Sequence, residues 1–214
     1  MKNKYVTIPP EKLIDIFLEV GIVPNGKLHF NWNEVSEWQI ENLIKLGMKP
    51  QHKLLDVGCG PIRLGMQAIN YLEDGNYYGI DAFDKYISLI PLMAEAAGIA
   101  KKYHILYNRN FEFDKLGTGF DFAIAQSVFT HLSKSQIIDC MRKMKKVMSP
   151  GSKFLFTNIE SKEARGFLYI GYLPMIAGTH CSDQFYQDIA KELDIQFQPN
   201  VIPHHSQTAH LFKF

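Results

Sequence analysis

The residues best suited to chemistry cluster in the string K-L-L-D-V-G-C-G-P-I-R-L-G at positions 53–65. Lys53 to Val57 is a short apolar run suited to a buried parallel strand. Gly58 and Gly60 then let the backbone turn sharply and approach a ligand with no Cβ in the way, and Pro61 can open a helix. Such a loop serves ligands that carry an adenosyl group. A dinucleotide fingerprint needs a third glycine where this chain has Arg63, so that the helix can pack closely beneath a pyrophosphate. Asp56, two residues before the first glycine, would oppose a pyrophosphate and suits a cationic ligand. Asp81 ends the next apolar segment, about 20 residues beyond the glycines, where an acid can accept hydrogen bonds from two ribose hydroxyls. His131, in the string Q-S-V-F-T-H-L, is the side chain best placed to move a proton near neutral pH.

These groups need a scaffold that alternates strands and helices, and the chain supplies one. Leu13, Ile14, Phe17 and Leu18 repeat with helical spacing, and a second helix is expected from Glu34 to Leu46 with Asn33 as its cap. After the glycine turn come a helix over Ile62 to Leu72, a strand over Tyr77 to Ile80, and a helix over Lys85 to Ala97 interrupted or kinked at Pro91. Tyr103 to Tyr107 and Phe120 to Ala125 read as further strands. Ser133 and Gln136 form a capping box before a helix whose Ile137, Met141, Met144 and Met148 share one face. A fifth strand follows the turn at Ser149-Pro150-Gly151. A helix from Ser182 or Asp183 to Leu193, a strand over Ile195 to Phe197 and a last strand over Thr208 to Phe214 complete the chain.

D-V-G-C-G, Asp56 to Gly60, resembles the first motif of the class I S-adenosylmethionine-dependent methyltransferases. F-D-F-A-I-A-Q-S-V-F-T-H-L resembles their motif after the fourth strand, and M-S-P-G-S and Q-T-A-H-L-F-K-F resemble their fifth-strand turn and closing strand. The resemblance implies a Rossmann-like α/β fold: a seven-stranded, mostly parallel sheet with the last strand antiparallel and helices on both faces. That domain would span residues 50–214, behind a small helical cap at residues 1–49. It implies S-adenosyl-L-methionine as cofactor, held by Asp56, Gly58, Cys59, Gly60, Asp81, Ala82, Asn110, Phe111, Gln126 and Ser127. The substrate pocket would draw on Trp32, Phe129, Tyr169 and Tyr172, with Phe30 and Trp38 as further aromatics. Packing of the cap onto the core is the competing reading of its aromatics. The reaction implied is methyl transfer to an oxygen or nitrogen of a small molecule; where a protonated acceptor needs a base His131 is the leading candidate, and a structural role at the start of the following helix is its competing reading. The alternative is an inactive, cofactor-binding regulatory module of the same fold.

A net charge of +1 does not suit a polyanionic partner, so nucleic acid is not expected, and the basic residues Arg142, Lys143, Lys145 and Lys146 read as a solvated helix face. With 46% hydrophobic and 21% charged residues the chain should fold as a globular domain. Cys59, Cys140 and Cys181 are odd in number and widely spaced, as free thiols of a reducing compartment are. The N-terminus lacks the apolar core of a signal peptide and no run approaches membrane-spanning length, so a cytoplasmic protein is expected. His180, His204 and His205 lack ligand spacing, and no metal site is expected. The aromatic stretch between Asn158 and Ser182 suits either a lid over the substrate or a homodimer contact.

Overall fold

The computed structural model describes residues 5–19, 32–159, 180–204 and 207–214. Their strands form one seven-stranded sheet in the order β3-β2-β1-β4-β5-β7-β6. The strands are β1 (Leu54–Val57), β2 (Tyr77–Asp81), β3 (His104–Tyr107), β4 (Phe120–Ala125), β5 (Met148–Asn158), β6 (Gln196–Ile202) and β7 (Thr208–Lys213). The first five pair in parallel, and β7 runs antiparallel to both β5 and β6. Strand order reverses between β1 and β4, which opens a crevice beyond their carboxyl ends.

Among the described residues six helices cover the sheet: α1 (Pro10–Glu19), α2 (Trp32–Lys45), α3 (Gly65–Tyr71), α4 (Asp84–Ala96), α5 (Lys134–Val147) and α6 (Asp183–Leu193). The two-residue alternation of the strands divides the core between the two faces. Leu54, Phe122, Ile124, Leu155 and Leu211 pack with α1 to α4. Leu55, Val57, Ala123, Phe154, Phe156 and Phe212 pack with α5 and α6. The apolar stripe of α5 is buried as its spacing predicts, through Ile137, Met141 and Met144. Its capping box is present, with the Ser133 N–H donating to Gln136 Oε1 at 2.8 Å and the Gln136 N–H to Ser133 Oγ at 3.3 Å.

Several boundaries differ from the sequence expectation, each for a local reason. The first core helix begins at Gly65 rather than Ile62, because Ile62 holds a left-handed backbone with φ 55° and residues 61–64 form a turn. The α4 helix runs through Pro91 without interruption. Its first turn is served by Asp81 as well as by Asp84: Asp81 Oδ1 accepts the Phe83 N–H at 2.8 Å. β6 extends to Ile202, well past Phe197. The basic face of α5 is engaged within the chain: Arg142 pairs with Glu192 at 2.7 Å, Lys143 with Asp139 at 2.8 Å, and Lys145 donates to the Asp194 carbonyl at 3.4 Å.

Candidate active site

β1 carries the glycine loop to the crevice. The N–H groups of Gly58 and Cys59 both donate to the Ile80 carbonyl, at 2.8 and 3.1 Å, so the loop stays joined to β2 as it leaves the sheet. Gly58 (φ 69°) and Gly60 (φ 55°) take the left-handed conformations that make the turn. Their missing side chains serve different ends. A Cβ on Gly58 would lie 2.4 Å from Val128 Cγ2, so this glycine admits the loop after β4. A Cβ on Gly60 would have no atom within 4 Å, which leaves an open cradle at the crevice.

Asp81 braces this cradle. Its Oδ2 accepts the Gly60 N–H at 2.8 Å while Oδ1 holds Phe83. Burial raises its pKa, and the hydrogen bonds from Gly60, Phe83 and Ala82 oppose that rise. Each carboxylate oxygen retains acceptor capacity for a ligand hydroxyl. Ala82 follows immediately, and its carbonyl accepts from Arg109 Nε at 3.3 Å.

Asp56 and Cys59 use their side chains inside the fold. Alternation along β1 turns Asp56 toward the α1–α4 face, where it is buried and accepts the Tyr77 O–H at 2.7 Å. Burial is the dominant cause that raises its pKa to about 7, against the Tyr77 hydrogen bond and the positive charge of Arg63. Gly65 makes this possible, since a Cβ there would stand 3.0 Å from the Tyr77 hydroxyl. The Cys59 side chain is buried over Gly79, whose own Cβ would come within 2.9 Å of its sulfur, and burial pushes the thiol pKa well up. Only the backbone of Cys59 is left to meet a ligand.

On the other side of the switch point, Gln126, Ser127 and Val128 leave β4. Ser127 has φ 57°; its N–H donates to Thr157 Oγ1 at 2.8 Å, and its Oγ accepts from Gln207 Nε2 at 2.8 Å. Among the described residues the buried Oε1 of Gln207 has no hydrogen-bond partner. His131 ends the short 3₁₀ turn Phe129–His131. It is exposed, yet the protein around its ring pushes its pKa below the ordinary imidazole value by desolvation, which leaves it neutral near pH 7.

Phe129 corrects an expectation. It is fully buried among Phe154, Phe156 and Tyr186, so among the described residues its ring is part of the core. Trp32 is also buried, against Phe17 at 5.3 Å, with Arg63 over its ring at 5.7 Å. Trp38 joins the cap to the β6–β7 turn, donating to the Pro203 carbonyl at 3.1 Å and meeting the His204 ring edge-on. At the exit of β3, Asn110 is exposed and Phe111 is half-buried with φ 54°. Asn108 organises that loop: its Oδ1 accepts from Asn110 at 2.8 Å and Glu112 at 3.1 Å, and its amide also bonds the Glu112 carboxylate. Phe30, Tyr169, Tyr172 and His205 lie outside the described residues. A cavity of about 350 Å³ lined by Gly151, Asp194, Gln196 and Phe214 opens at the opposite end of β5, away from the crevice.

A family model described as a methyltransferase domain matches residues 48–196. The chain belongs to the S-adenosylmethionine-dependent methyltransferase family. Its matched segment begins just before β1 and takes in the glycine loop, Asp81 and the loop after β4. Solved methyltransferases share the fold at low identity. A magnesium protoporphyrin IX methyltransferase from Synechocystis with bound S-adenosylhomocysteine superposes with a TM-score of 0.65 at 12% identity, covering 95% of each chain. An S-adenosylmethionine-dependent methyltransferase from Clostridium acetobutylicum gives 0.66 at 10% identity, covering 87% of this chain and 93% of its own. A putative O-methyltransferase from Nostoc punctiforme gives 0.64 at 15%, covering 95% and 69%.

Proposed function

We propose that this methyltransferase binds S-adenosyl-L-methionine across the exits of β2, β1 and β4 and transfers its methyl group to an oxygen or nitrogen of a small molecule. The observation that carries this reading is the open side of Gly60 beside the braced Asp81 carboxylate. A Cβ would fill that space, and the adjacent oxygens can receive ribose hydroxyls. The bound cofactor supplies an activated methyl group, so the protein must position, desolvate and, where the acceptor is protonated, take up a proton. Asp81 and Ala82 would hold the ribose end, Gly60 and the Cys59 backbone the middle, and Gln126 and Ser127 the amino-acid end. Asn110 and Phe111 stand at the β3 exit for the adenine.

The acceptor enters on the β4 and β5 side. Gln207, fixed by Ser127, offers its Oε1 to an O–H or N–H of the acceptor, which supports a hydroxylated or amino compound. His131, neutral at physiological pH, would take the proton released as the methyl group arrives. Tyr169 and Tyr172 remain proposed as pocket residues contributed by the segment between β5 and α6. The test is a transfer screen with methyl-labelled cofactor against pools of small alcohols, phenols, carboxylic acids and amines, with RNA in a separate arm. Label should enter a small molecule. Label entering RNA alone, or cofactor binding with no transfer to any pool, contradicts the reading.

A further inference from the structure

The turn between β6 and β7 delivers a side chain to the crevice from the antiparallel side of the sheet. β7 starts at Thr208, which pairs with Asn158, the last residue of β5. Because the two strands run in opposite directions, the residue just before β7 stands at the carboxyl end of β5, beside the loop after β4. That residue is Gln207. Its Nε2 donates to Ser127 Oγ at 2.8 Å and its backbone N–H to His204 Nδ1 at 3.1 Å, so both ends of the residue are fixed. His204 is held in turn from α2. Its ring meets Trp38 edge-on at 4.7 Å, and the Trp38 indole N–H donates to the carbonyl of the adjoining Pro203 at 3.1 Å. Ser127 is secured separately, its N–H donating to Thr157 Oγ1 at 2.8 Å.

From this chain of contacts we infer that Gln207 selects the methyl acceptor, and that His204 and Trp38 are positioning residues that aim it. The inference rests on the proposed transfer to a small molecule and turns one contact into a rule of selection. Glutamine is among the side chains that lose most rotamer freedom when fixed, and a buried carbonyl oxygen without a donor is unfavourable. Gln207 carries both burdens, since among the described residues its Oε1 has no partner. An acceptor that brings an O–H or N–H to that oxygen removes the second. A carboxylate cannot, because two acceptor oxygens would then face each other in a buried site. The compounds favoured are therefore alcohols, phenols and amines, and carboxylates are rejected. Turning or loosening Gln207 through His204 or Trp38 relaxes that choice without any change at the cofactor.

The experiment is a competition on the full chain. Pools of simple alcohols, phenols, primary amines and monocarboxylic acids are offered together with methyl-labelled S-adenosylmethionine, and the label in each pool is counted. The ratio of label between pools reads specificity and does not depend on how much of the protein is folded. Wild type should favour the donor-bearing pools over carboxylic acids about tenfold or more, as expected when a buried acceptor is left facing another acceptor. Gln207→Leu should bring that ratio within about threefold of one, and Gln207→Glu should move label toward amines about tenfold. His204→Leu should reproduce the Gln207→Leu pattern, with no further change in the double variant, because one residue acts through the other. His204→Asn, whose Oδ1 can accept the Gln207 N–H, should recover most of the wild-type ratio. Trp38→Leu should shift the ratio in the same direction as His204→Leu. Calorimetry with S-adenosylhomocysteine should show affinities within about threefold of wild type throughout, since Thr157 still holds the Ser127 backbone. A wild type that labels carboxylic acids best, or a Gln207→Leu ratio equal to that of wild type, overturns the role of Gln207. Unchanged ratios in His204→Leu and Trp38→Leu, or effects of His204→Leu and Gln207→Leu that multiply in the double variant, overturn the positioning role. Loss of S-adenosylhomocysteine affinity as large as the change in ratio overturns the inference too, because the turn then serves the cofactor. Wild type that binds S-adenosylmethionine yet labels no pool rejects the small-molecule reading itself, and does so before any variant is made.

Discussion

Replacing Tyr77 with phenylalanine isolates the most unusual electrostatic feature beneath the glycine loop. The substitution keeps the ring packed and deletes only the hydroxyl that donates to the buried Asp56 carboxylate at 2.7 Å. Asp56 has its pKa raised from 3.8 to about 7, chiefly by desolvation. Between those values the folded protein holds a proton that the unfolded chain has released. Stability from this group is therefore greatest at the acid end of the window and falls as pH rises toward 7, by up to about 1.4 kcal/mol per pH unit and roughly 4 kcal/mol in all. Above pH 7 the carboxylate is ionised in both states, and the Tyr77 O–H is a charge-assisted donor worth about 1.5–3 kcal/mol. Near pH 5 the carboxyl is neutral in the folded state and the same contact is worth about 1 kcal/mol. Loss of the hydroxyl should also push the Asp56 pKa higher, since that hydrogen bond, more than the charge of Arg63, opposes the effect of burial. Tyr77→Phe should thus destabilise the protein by about 1–2 kcal/mol more at pH 8 than at pH 5. Urea midpoints at the two pH values, with unchanged m-values, give the number directly. Asp56→Asn serves as the control in which the pH dependence of the Tyr77 effect disappears. Equal destabilisation at both pH values, or a larger one at pH 5, would refute the reasoning.

Two further pairs of measurements separate structure from function at the site. Gly58→Ala should lower the melting temperature more than Gly60→Ala. Both pay about 1 kcal/mol for a left-handed alanine, but only the first meets Val128, for about 1–3 kcal/mol more. Gly60→Ala should in turn weaken S-adenosylhomocysteine by more than its loss of stability explains; unchanged affinity would remove the cradle from the binding site. His131→Asn should reduce turnover about 100-fold with cofactor affinity intact. The wild-type rate should fall only when acid protonates the imidazole, below the ordinary histidine pKa because that of His131 is depressed. Unchanged turnover in the variant would leave His131 without a part in catalysis.

The fold was legible because its signals are local. Apolar runs, the Ser133–Gln136 box and the glycine turn at Gly58 place strands and helices within a few residues, and the ends of β1, β2 and β4 follow from them. What escaped the sequence reading depends on pairs distant in the chain. Tyr77 meets Asp56 only because β2 lies beside β1 in a register that puts both on one face, and only because Gly65 leaves room. Gln207 reaches Ser127 across 80 positions. Nothing in the spacing of either pair announces the contact. Arg63 was noticed only for the glycine it replaces; its proximity to Gln126 and Trp32 appears once the loop after β4 folds against Gly58. Phe129 shows the opposite failure. Its place in the chain suggested a pocket residue, but the 3₁₀ turn directs its ring into the core while its neighbour His131 faces outward.

The central claim is that the Gly58–Gly60 loop, Asp81 and the exit of β4 form a sulfonium-cofactor site. Isothermal titration of the wild-type protein with S-adenosylmethionine, S-adenosylhomocysteine and NAD tests it most directly. The account predicts saturable one-to-one binding of both sulfur cofactors, weakened at least tenfold by Asp81→Asn, and no binding of NAD. Binding of NAD without either sulfur cofactor would contradict it.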